Sequence, residues 1–140
     1  GLSARDIEIC VWAWELLLEG DENKIELVTA KATENSSRTY FSEINNLVYL
    51  GADVKPGQAI DANSRMSVLA CLAHELAHAQ RFKLGFQRPF ELPDMLIDEA
   101  ETSLHASFMS VLSLKDREDL IEDARDRLIQ WLSQSRREQL

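Results

Sequence analysis

Val68–Phe82, read as VLACLAHELAHAQRF, is the stretch that decides the fold. It contains no proline or glycine, and its alanines, leucines and Cys71 leave hardly any polar angle around a helical wheel. A helix that is apolar nearly all round has to be surrounded by other elements, so this segment is expected at the centre of the molecule. Asp61 or Asn63 can cap it, and the pattern runs through Met66, Val68, Leu69, Leu72 and Leu76 to about Phe82.

Upstream, Ser3 with Asp6 three residues later makes a capping pattern, and Ile7, Cys10, Val11, Trp14, Leu17 and Leu18 recur at helical spacing. The spacing predicts a first helix over residues 4–19, ending at Gly20, with its tryptophans in the core. Between Lys24 and Val54 the pattern shifts to short β-branched and apolar runs, Ile25–Thr29, Thr39–Phe41 and Leu47–Leu50, separated by links rich in Asn, Ser and Glu. These predict a small antiparallel sheet closed by Pro56-Gly57.

Downstream, Gly85, Pro89 and Pro93 mark Leu84–Pro93 as a surface loop, and Asp94 can cap a helix from Met95 to about Leu112. A C-terminal helix is expected from about Lys115, with Leu120, Ile121, Ala124, Leu128 and Trp131 or Leu132 as its stripe. The alternating acids and bases of Lys115–Arg127 read as a solvated, internally paired face. No repeat or linker divides the chain, so residues 1–140 are expected to form a single domain of class α+β, mainly helical: N-terminal helix, small sheet, central helix, acidic helix, C-terminal helix.

Composition narrows the partners. A formal charge of −9 repels phosphate backbones, which excludes nucleic acid as an expected partner. The apolar run around Val68–Ala73 is broken by Ser, His and Glu, far short of the roughly 20 residues that a membrane span needs. Cys10 and Cys71 both lie in apolar segments, as buried thiols of a reducing compartment do. Gly1-Leu2-Ser3 has none of the features of a secretory signal, and the expected location is cytoplasmic.

Within the central helix, His74-Glu75-Leu76-Ala77-His78 is an HExxH motif. Helix positions four apart share a face, so both imidazoles can offer a nitrogen to one Zn2+. Glu75 is turned about 100° from His74 and can stand beside the site as a general base without becoming a ligand. Burying three titratable groups within one helical turn costs several kcal/mol unless something neutralises them, and a divalent cation does so for two imidazoles and a carboxylate.

A catalytic zinc takes a third protein ligand. The metzincin extension is excluded, because Arg81 and Leu84 stand where its glycine and third histidine belong. The next helix offers Asp98, Glu99 and Glu101. On its wheel Ile97, Ala100, Leu104, Phe108 and Val111 form an apolar face close to Glu101, whereas Glu99 shares the opposite face with Ser103, Ala106 and Ser110, whose small side chains admit a second helix. The wheel alone leaves Glu99 and Glu101 open. His105, on the same helix, reads as a structural or supporting histidine.

Over about residues 35–112 this arrangement resembles the gluzincin metallopeptidases, and among them the small ImmA/IrrE-type domains. Their pattern places the glutamate ligand on the following helix in Glu-x-x-Ala-Asp/Asn. The resemblance implies His74, His78 and Glu99 as metal ligands and Glu75 as the catalytic base. Thr102 then takes the alanine place and Ser103 the Asp/Asn place, two departures from the pattern, with Ser103 offering a weaker hydrogen bond to a ligand histidine. It also implies substrate pairing along the strand at Leu47–Leu50. The expected activity is zinc-dependent hydrolysis of a peptide bond in a protein or peptide substrate, in a specific partner as a regulatory switch. The alternatives are a non-catalytic, zinc-stabilised interaction module and a pseudoenzyme.

Overall fold

The computed structural model describes residues 1–19, 21–58 and 61–138, so Gly20, the expected helix stop, lies outside the described residues. The chain is α+β and mainly helical. In order it forms α1 (Ala4–Leu18), β1 (Leu27–Val28), β2 (Tyr40–Ser42), β3 (Leu47–Tyr49), a 3-10 turn (Ala52–Val54), α2 (Ala62–Arg65), α3 (Val68–Lys83), α4 (Asp94–Ala106) and α5 (Leu114–Glu138). Among the described residues no helix is long and apolar enough to cross a membrane.

α1 starts where Ser3 and Asp6 cap each other reciprocally. Cys10, Trp14 and Leu17 face inward, and the Trp14 indole donates to the Ile25 carbonyl at 2.8 Å, which fixes the entry to the sheet. Trp12 departs from the expectation that both tryptophans are core. It lies off that stripe and is 61% exposed.

α3 is the hub, packed against α1, α4, α5 and the sheet, and Ala70 to Ala79 are all buried. It is shorter than the sequence implies, because the backbone is extended at Met66 and Ser67. Asp61 caps only α2, and Ser67 caps α3 by accepting from the Ala70 N–H at 3.1 Å. Two acids of α5 hold this break. Asp119 accepts the Ser67 N–H at 2.9 Å and Asp116 accepts its hydroxyl at 2.7 Å, placing negative charge at the positive end of the α3 dipole. Gly85, at φ +100°, ends α3 in a left-handed turn that other residues resist.

The sheet is mixed, correcting the expected antiparallel one. Its order is β1-β3-β2, with β1 parallel and β2 antiparallel to β3. The link between β1 and β2 is long enough for the chain to leave a gap one strand wide, and β3 returns by a tight turn to fill it. β3 therefore has hydrogen-bonded neighbours on both sides and cannot receive a substrate strand; the free edge beside the site is β2. Asp53 anchors that edge, accepting from the Thr39 N–H at 2.7 Å and from Asn63 at 3.0 Å. Gly51 permits the close approach, since a Cβ there would lie 2.3 Å from the Arg38 carbonyl carbon.

α4 buries the small-residue face that carries Glu99 more fully than the larger apolar one, and it ends at Ala106 instead of Leu112. Glu99, Ala100, Ser103 and Ala106 are buried, whereas Leu104 is 39% and Phe108 84% exposed. The small side chains let α4 lie between α3 and α5, and close helix contact outweighs the burial of the larger residues. α5 likewise buries Leu120 and Ala124 but leaves Ile121 and Leu132 about half exposed, at 51% and 48%. Its charged run is not a solvated face throughout, because Asp116, Asp119 and Asp123 share the buried stripe with Leu120 and Ala124.

Candidate metal centre

The i, i+4 spacing on α3 stacks the imidazoles of His74 and His78 edge to face, with ring centroids 4.7 Å apart. α4 brings Glu99 between them. Its Oε2 lies 3.0 Å from His74 Nε2 and its Oε1 3.0 Å from His78 Nε2. Glu75 Oε1 is 4.0 Å from His74 Nε2. Donor atoms of His74, Glu75 and His78 all lie within 4.8 Å of one another, as do those of His78, Asp98 and Glu99.

Glu101 is not in this cluster. Its half-exposed carboxylate pairs with Arg81 at 3.0 Å. Asp98 also pairs with Arg81, at 3.2 Å, which engages one of its oxygens. His105 pairs with Gln80 at 2.9 Å; burial, with Arg81 nearby, lowers its pKa. Cys71 and Cys10 are buried and unbridged, and burial raises both thiol pKa values, that of Cys10 to about 11.

Hydroxyl groups behind the histidines fix which nitrogen faces Glu99. Ser103 Oγ lies 2.8 Å from His74 Nδ1 and donates its one proton to Asp123 Oδ2 at 2.6 Å, so it accepts the Nδ1 proton. Thr102 Oγ1 donates to the Asp98 carbonyl at 2.7 Å and can therefore only accept from His78 Nδ1, 3.4 Å away. In the neutral rings both Nε2 lone pairs then face the buried Glu99 carboxylate.

Two buried atoms in this cluster, His78 Nε2 and Glu75 Oε2, have no hydrogen-bond partner among the described residues, and Glu99 Oε1 meets the Arg88 guanidinium. Two nitrogen lone pairs and a carboxylate converge here, and a nitrogen-nitrogen-oxygen donor set of this kind suits zinc. Two arginines touch the same carboxylate: Arg88 meets Glu99 Oε1 at 2.5 Å, and Arg127 meets Oε2 at 3.3 Å while its Nε bonds Asp123 at 2.9 Å. Burial would raise the Glu99 pKa, but when the imidazoles are protonated their Nε2–H groups and positive charge hold it far below the usual carboxylate range. Burial would likewise lower the His74 pKa, yet bonding to Glu99 raises it. For Glu75 burial dominates and raises the carboxyl pKa, opposed by His78 and His74.

Asp123, Arg127 and Arg88 are absent from the expected site. The signal for the first two lies in phase: 116, 119, 123 and 127 recur with the same helical period as the buried Leu120 and Ala124. For Arg88, in a loop, the sequence carries no such signal. No family model, no curated protein and no solved structure matches this chain.

Proposed function

We propose that this chain is a zinc-dependent metallopeptidase domain that hydrolyses a peptide bond in a partner protein. The observation that carries the reading is the pair of Nδ1 contacts, which turn two histidine Nε2 atoms onto one buried carboxylate. His74, His78 and Glu99 would hold the metal. Zinc held there supplies Lewis acidity towards a carbonyl and acidifies water.

The remaining work belongs to the protein. Glu75, on the floor of a cavity of about 490 Å³, takes the proton of the attacking water and returns it to the leaving amine. Arg88, at the cavity wall beside Glu99, is the cation placed to meet negative charge developing on the substrate carbonyl.

A second reading, a non-catalytic zinc-stabilised module, draws on the double arginine pairing of Glu99, which could hold the cluster closed. One experiment separates the two. Metal content is measured on purified protein and on His74→Ala, and an unbiased peptide pool is incubated with wild type and Glu75→Gln. About one zinc per chain, lost in His74→Ala, with cleavage that the Gln variant lacks by at least about 10²-fold, is the expected result. Zinc without cleavage selects the module, and failure to take up zinc at neutral pH removes both.

A further inference from the structure

The metal cluster lies at the seam of two cavities of opposite character. The first, about 490 Å³, contains Glu75 and Glu99 together with Arg38, Arg65, Arg88 and Arg127. The second, about 450 Å³, contains His78 and Asp98 together with Phe41, Phe82, Phe86 and Phe90. Arg88 lines both, and the free-edge strand β2 runs past both, with Tyr40 in the first and Ser42 in the second.

Neither end is explained by folding. A chain with a net charge of −9 gathers four guanidiniums in one cavity, and among the described residues Arg38 and Arg65 have no ion-pair partner. The carboxylates sharing that cavity are Asp61, Asp126, Glu75 and Glu99, so a divalent cation on the floor leaves it net positive. At the other end, Phe90 is 94% and Ile44 96% exposed, both against the second cavity, where water is a poor neighbour for so much apolar surface. The Arg81 guanidinium covers the Phe86 ring at 4.6 Å, and the Arg88 N–H reaches Glu43 at 3.4 Å, so the loop carrying the phenylalanines is tied to the hairpin.

The geometry points to one ligand class for this cleft: an extended peptide lying along β2, with an acidic side chain in the arginine cavity, a large apolar side chain in the phenylalanine cavity, and the bond between them over His74, Glu75 and His78. Tyr40 and Ser42, two positions apart on β2, line the two cavities, so an extended chain paired beside β2, advancing about 3.3 Å per residue, passes both within a few positions. This selectivity rests on the peptidase reading for its chemistry and on the metal of that reading for the net positive charge of the arginine cavity.

The test measures binding apart from cleavage. Glu75→Gln protein with added zinc is titrated into labelled decapeptides carrying an Asp/Phe pair, or the same peptides with Lys for Asp or Ala for Phe. Fluorescence anisotropy is the readout. Each replacement is expected to weaken binding about tenfold, and Arg38→Glu with Arg65→Glu should erase the Asp-over-Lys preference while keeping the Phe-over-Ala one. Phe90→Ser should do the converse. No binding, equal affinity for the Asp and Lys peptides, or a preference that survives the double arginine change overturns the inference. In parallel the wild type is given an unbiased peptide pool: cutting without Asp/Phe bias sinks the selectivity and leaves the peptidase reading, whereas selective binding with no cutting anywhere sinks the peptidase reading and keeps the cleft as a peptide-binding site.

Discussion

Ser103→Ala removes one hydroxyl that no solvent can replace, since Ser103 is fully buried. Two contacts disappear together: the one to His74 Nδ1 at 2.8 Å and the one to Asp123 at 2.6 Å. Asp123 keeps Arg127 as a partner at 2.9 Å, but the His74 N–H is left with no acceptor. An unsatisfied buried donor costs about 1–3 kcal/mol. The alternative is for the ring to move its proton to Nε2 and lose its capacity as a ligand. Losing the outer partner of a ligand histidine typically lowers metal affinity about 10–100-fold, which corresponds to about 1.4–2.7 kcal/mol, so the two routes give the same scale. Thr102→Val makes the internal comparison, because its contact to His78 is longer, at 3.4 Å, and weaker. Zinc affinity measured by competition with a chelating dye at neutral pH should fall in the order wild type, Thr102→Val, Ser103→Ala, with Ser103→Thr restoring the loss. Ser103→Ala binding zinc within about twofold of wild type, with its apo stability also unchanged, would refute the reasoning about the hydroxyl relay.

Two further outcomes are expected at the same site. Glu99→Ala should abolish measurable zinc binding, whereas Glu101→Ala, which loses a half-exposed contact to Arg81, should change stability by less than about 1 kcal/mol and leave affinity intact; the reverse pattern in the dye assay moves the ligand to Glu101. pH should act in opposite senses on the two forms. The His74 pKa is raised in the fold, so its contribution to apo stability is complete below the ordinary histidine value and is lost as pH rises through the raised one. Zinc competes with that proton, so the shift in melting temperature on adding zinc should grow over the same rise. Melts between pH 6 and pH 8.5 with and without zinc check this, and a zinc-induced shift that shrinks with rising pH contradicts it.

Features whose cause lies within a few residues along the chain were legible in the sequence. The capping of α1 by Ser3 and Asp6, the central position of α3 and the shared face of His74 and His78 all follow from the helical period, which is local. The choice of Glu99 over Glu101 was half legible. The small residues at 103 and 106 indicated a face that another helix approaches, but the larger Leu104 and Phe108 argued for the opposite face until packing between α3 and α5 excluded them.

Other features depend on partners distant in sequence, and only the tertiary structure decided them. The break at Met66 and Ser67 is held by Asp116 and Asp119, about fifty positions away. The central place of β3 is set by which strand fills the gap beside β1, and pairing order leaves no trace in a run of β-branched residues. Asp123 and Arg127 look like members of a solvated charge run because alternation records only their own helix, whereas Ser103 and Glu99 of α4 draw them inward. The sequence thus determined the nitrogen pair and its helix, through local periodicity. Packing decided which carboxylate faces the pair, which hydroxyls orient it and which strand edge lies open beside it, because each of those is a contact between segments whose spacing along the chain carries no constraint.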